Sequence, residues 1–100
     1  MNTYIMTKLQ EMLQALRSPD RNRYIEQMGN ELEMMRMEIE QHIEHMPSTA
    51  AYRALRTSAE DAVQKLTEAF ALWEDACEAD PSEQKDILNE MIALIESITY

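Results

Sequence analysis

Two runs of residues on either side of Met46-Pro47-Ser48 keep a three-four alternation that only a helix can present on one face. The first is Ile25, Met28, Leu32, Met35, Ile39, His42 and Met46. The second is Tyr52, Leu55, Ala59, Ala62, Leu66, Ala69, Trp73 and Ala76, widened towards its C-terminal half by Val63, Phe70 and Cys77. Such heptad stripes predict two long helices, and a connection this short obliges them to lie antiparallel. With one Gly and three Pro in 100 residues, the chain has few places to turn, which excludes a barrel, a sandwich or a doubly wound sheet.

The punctuation predicts four helices in a single domain over residues 1–100, at about 3–17, 19–46, 48–79 and 81–99. Ser18-Pro19 offers an N-cap before a first-turn proline, and Pro47-Ser48 ends one segment and caps the next. Asp80-Pro81-Ser82-Glu83 joins an N-cap, an N1 proline and an N3 carboxylate into a capping box. Gly29-Asn30 interrupts the second segment, yet the stripe keeps phase through it, so a continuous helix with room for a kink is expected. The first helix carries Ile5, Leu9, Met12 and Leu16 on one side. The last is apolar nearly all round, with Ile87, Leu88, Met91, Ile92, Leu94, Ile95 and Ile98, and needs cover on more than one side.

At about 1.5 Å per residue the central helices are roughly 40 and 48 Å long and the outer ones roughly 22 and 28 Å. Both short helices attach at the open end of the hairpin. The expected fold is therefore all-α: an antiparallel hairpin with the N- and C-terminal helices packed at its base like a four-helix bundle, and a two-helix tip from about Met35 to Ala62. The apolar surface of that tip, and of the last helix, is the expected partner-binding site: Met34, Met35, Met37, Ile39, Ile43, Met46, Tyr52, Leu55, Met91, Ile95 and Ile98. Methionine suits such a surface because its flexible thioether adapts to irregular partners.

Nine Lys and Arg against nineteen Asp and Glu give a net charge of −10, which disfavours nucleic acid and anionic membrane as direct partners. No segment reads as a signal peptide or a membrane span, and a lone Cys77 forms no intramolecular disulfide, so a cytoplasmic setting is expected. Cys77, beside Asp75 and Glu78, reads as core or interface and not as a nucleophile, since carboxylates raise a thiol pKa. Glu38, His42 and His45 share neighbouring turns, but no second cluster completes a metal site. His42 lies on the seam, where a polar residue sets register. No glycine loop or catalytic triad pattern is present, so neither an enzyme nor a cofactor is expected.

The acidic face, Glu31, Glu38, Glu40 and Glu44 with Glu33, reads as solvated, or as a ridge of carboxylates imitating nucleic-acid phosphates. Three functions follow: a chaperone- or adaptor-like module binding a partner's amphipathic helix, a small phage-type acidic inhibitor of a nucleic-acid-binding protein, or a structural homodimer.

KLQEML at Lys8–Leu13, the PSTAAYRAL turn at Pro47–Leu55, and Ala59 with Ala62 resemble the small helical-hairpin co-chaperones of type III secretion needle subunits, over Thr7 to Trp73. The chain is more acidic and longer than these, and its helix from Pro81 has no counterpart in the shortest of them. The resemblance implies a cytoplasmic protein that, with a helical-repeat co-chaperone, keeps a filament subunit monomeric.

Overall fold

The computed structural model describes residues 3–100, which form α1 (Thr3–Arg17), α2 (Arg21–Glu44), a 3-10 turn (Ala50–Tyr52), α3 (Arg53–Glu78) and α4 (Pro81–Glu96). There is no strand among the described residues. The helices make an elongated body of 47 × 20 × 19 Å in which neighbours form a ring: α1 on α2, α2 on α3, α3 on α4, and α4 back on α1. The fold is an all-α bundle built on a long antiparallel hairpin. Both outer helices attach at its open end, where Arg17 and Ser18 share a cleft with Pro81 and Gln84.

The heptad positions make the core. Met28, Leu32, Met35 and Ile39 of α2 meet Ala59, Ala62, Leu66, Ala69 and Ala76 of α3, all excluded from solvent. Four alanines in one stripe let α3 come close to its neighbours, and each large aliphatic side chain buried opposite contributes about 1.5–3 kcal/mol. Helix α1 closes one side with Ile5, Leu9, Met12 and Leu16, and α4 another with Leu88, Met91 and Ile95.

Helix α2 runs unbroken through Gly29, and the reason for a glycine there is steric. A β-carbon on Gly29 would stand 2.5–2.7 Å from the six-membered ring of Trp73. The indole is pinned at that spot, because its Nε1 donates a 2.7 Å hydrogen bond to the Ile25 carbonyl and Phe70 packs at 5.3 Å between ring centroids.

Several helix ends differ from expectation. Helix α2 starts after Asp20, two residues beyond Ser18, whose hydroxyl instead accepts from the Asp20 amide within the turn. It ends at Glu44, where Met46 and Pro47 leave the helical path. Residues 48–49 are extended or bent, so α3 begins at Arg53 behind the 3-10 turn, not at Ser48. Arg56 fixes this tip by donating to the Met46 and Pro47 carbonyls at 3.0 and 3.3 Å. The Asp80 cap is present: its carboxylate accepts from the Glu83 amide at 2.9 Å, with Pro81 in the first turn.

Helix α4 stops at Glu96, short of residue 99, and the last residues form a strap across the hairpin. Lys65 donates to the Ser97 carbonyl at 2.9 Å, the Ser58 hydroxyl to the Thr99 carbonyl at 3.5 Å, and the Tyr100 hydroxyl sits 2.9 Å from Nδ1 of His42 on α2. Ile98 and Tyr100 are buried beneath these contacts.

Candidate functional site

The strap corrects the expected extent of the bare tip. Met35 and Ile39 are buried inside the chain, since α1 and the strap cover the hairpin at their level; neither offers a surface to a partner. The same holds for Met91, Ile95 and Ile98, whose apolar faces are consumed between α4, its neighbours and the strap. An acidic substitution at Met35 or Ile39 would damage the core and say nothing about binding. Ile43 and Met46 are half-buried against the core, while Tyr52 and Leu55 remain exposed beyond the strap.

The more exposed apolar group lies on the outer face of α2. Met34 and Met37, three residues apart and so on one side of the helix, are 57% and 52% exposed. Tyr4 of α1, 50% exposed, joins Lys8, Glu31, Met34 and Met35 around a recess of about 50 Å³. Tyr4 is an exposed apolar residue beside this face that the helix periodicity does not single out. Its signal is an aromatic ring one position before the Ile5-Leu9-Met12-Leu16 stripe, off the face that the core covers.

Helical geometry arranges the rest of this face. At about 100° per residue, Asn30, Met34, Met37 and Gln41 run along its centre, with Glu31 and Glu38 on one edge and Glu33, Glu40 and Glu44 on the other. These carboxylates are not equally free. Glu33 and Glu40 share Arg36, at 2.7 and 2.8 Å, and Glu31 accepts from the Tyr24 hydroxyl. Glu38 lies 3.5 Å from Nε2 of His42, and Glu44 is exposed at the helix end. Burial first, and then the Glu31 hydrogen bond and charge, push the Tyr24 phenol well above its ordinary range.

The other candidates for chemistry are tied up. His42 is shared between Tyr100 and Glu38, and Nδ1 of His45 lies 2.8 Å from the Gln41 carbonyl, so the three side chains do not converge on a common point. Among the described residues, no group of three His, Cys, Asp or Glu side chains is placed to hold a metal ion. Of the two expected places for Cys77, core or interface, its exposure removes the core, because it widens the α3 stripe past the edge that the neighbouring helices cover. Partial desolvation, then Glu78 and Glu74, raise its pKa and favour the unreactive thiol. No described helix is long and apolar enough to cross a membrane.

No protein-family model, curated protein or solved structure matches this chain.

Proposed function

We propose that this chain is a non-catalytic protein-interaction module, chaperone- or adaptor-like, whose outer α2 face and hairpin tip dock an amphipathic helix of a partner. One observation carries the reading: Met34 and Met37 stand in solvent on one side of α2 and Tyr4 of α1 shares a recess with Met34, while the heptad residues Leu32, Met35 and Ile39 of the same helix are packed. Single exposed apolar residues are ordinary on any surface, whereas a contiguous group with a recess marks a contact site. Helix-in-groove recognition supplies the mechanism, with apolar anchors at three- and four-residue spacing giving affinity. The resemblance to needle-subunit co-chaperones, a family that shields a filament subunit, supports the chaperone-like form. A reducing, cytoplasmic setting fits a lone exposed thiol. The carboxylate-ridge reading is weaker, since Glu33 and Glu40 are spent on Arg36.

Site-specific photo-crosslinking tests the reading. A crosslinker at Met37 should capture one protein from native lysate, and one at Glu68, exposed on α3, should not. Met34→Asp with Met37→Asp should abolish binding of that protein while the circular dichroism spectrum is unchanged. Equal capture from both positions, or undiminished binding by the double variant, refutes it.

A further inference from the structure

We infer that the occupant of the outer α2 face is a cationic amphipathic helix of another protein, not a second copy of this chain; the inference rests on the interaction reading above. Charge placement carries it. The centre line Asn30, Met34, Met37 and Gln41 is uncharged, and both of its edges are carboxylate: Glu31 and Glu38 on one side, Glu33, Glu40 and Glu44 on the other. A helix laid along this face from Asn30 to Glu44 is matched over about 21 Å, or four turns. Its own centre must be apolar to cover the two thioethers and the Tyr4 ring, and its flanks must carry Lys or Arg to meet Glu38 on one edge and Glu44 on the other, the carboxylates that Arg36 and Tyr24 do not hold.

A second copy has the wrong flanks. Packing α2 on α2 brings carboxylate rows against carboxylate rows, and Arg36 faces only the edge it already neutralises between Glu33 and Glu40. Like charges set opposite one another across a contact are destabilising, and a net charge of −10 adds long-range repulsion. Lys8, the cation on the α1 side of the recess, is 3.9 Å from Glu11 and lies over the Tyr4 ring at 6.0 Å, so it is occupied within its own helix. Glu38 and Glu44 are the edge carboxylates with most to gain from an incoming cation.

The probes are two short synthetic helices with the same leucine seam, one flanked by lysines and one by glutamates, titrated into the intact protein. The lysine helix should bind at least about ten-fold more tightly than the glutamate helix and should weaken as salt is added. Glu38→Lys with Glu44→Lys should weaken it at least about ten-fold, while Glu74→Lys with Glu78→Lys, the same charge change on exposed positions of α3, should alter it less than about two-fold. The Met34 and Met37 methyl resonances should shift on binding.

Equal loss from the two charge-reversed pairs would reduce the effect to bulk attraction and overturn the inference. So would equal binding of the glutamate helix, or a dimer in sedimentation that Met37→Asp dissociates. The crosslinking experiment separates this failure from that of the broader reading. A captured partner that is lost on Met37→Asp but is indifferent to salt and to Glu38→Lys leaves an interaction module standing and removes its cationic ligand.

Discussion

Replacing Gly29 by alanine sets two effects of opposite sign against each other. In an ordinary helix interior the change stabilises by about 1 kcal/mol, because glycine loses more backbone freedom on folding. Here the new β-carbon would lie 2.5 Å from the nearest Trp73 ring carbon, where ordinary contact begins at 3.4 Å, so the indole must retreat by nearly 1 Å. It is not free to do so while Nε1 is held at 2.7 Å on the Ile25 carbonyl. Overpacking of this kind costs about 1–3 kcal/mol, and a broken hydrogen bond about 1 kcal/mol more. With the helix gain subtracted, Gly29→Ala should destabilise by about 1–3 kcal/mol, and each of these lowers Tm by roughly 4–8 °C in a chain of this size. Urea and thermal unfolding followed by circular dichroism measure it. In a Trp73→Leu background, where the ring is gone, the same substitution should instead stabilise by about 0.5–1 kcal/mol. A rise in Tm on Gly29→Ala in the parent chain, or the same cost in both backgrounds, refutes the clash.

Three further outcomes are expected. Asp80→Ala, which removes the acceptor for the Glu83 amide, should cost about 1 kcal/mol in urea unfolding, and Asp80→Asn should keep most of it. Tyr24 keeps its proton in the folded chain at a pH where the unfolded chain has lost it. Stability is therefore intact below pH of about 10 and falls above it, and Tyr24→Phe should flatten that alkaline decline in urea unfolding. Ile98→Asp should detach the strap and speed hydrogen exchange around Ile39 and Ala59, whereas Tyr100→Phe, which loses only its bond to His42, should cost about 1 kcal/mol.

The hairpin was legible because its signal is periodic. Ile25 to Ile39 and Ala59 to Ala76 keep phase for many turns, and burial follows that phase, apart from Trp73, which is half-buried at the edge. The outer α2 face is legible in part: Met34 and Met37 fall off the stripe and are exposed, but Met35 and Ile39 lie on it, in a stretch of the hairpin that the chain itself covers. What sequence spacing could not show are contacts between residues far apart along the chain. The reason for Gly29 sits forty-four positions away in Trp73, and the partner of His42 is Tyr100, in a segment too short to have a period. Ile98 fits the α4 stripe so well that the helix end before it carries no mark.

Leaving the helix after Glu96 has a geometric consequence for where apolar surface remains. A helical residue advances about 1.5 Å, whereas an extended one spans up to about 3.3–3.6 Å. Residues 97–100 in helical form would carry α4 only about 6 Å further along the hairpin. Ser97 instead stays in a turn, and residues 98–100 leave the helical path with a reach of up to about 10 Å, which takes the chain from Lys65 and Ser58 on α3 to His42 on α2. The strap thereby seals the inner side of the hairpin at Ile39 and Ala59, where two helices alone would leave a bare seam. It does not reach Tyr52 and Leu55 beyond it or the far side of α2, so the difference in helix length is resolved inside the chain along the core and left open at Met34, Met37, Tyr52 and Leu55. The outer face left open is rimmed by carboxylates, and on the reading proposed above the same packing that closes the core is what would ask for cations on a partner.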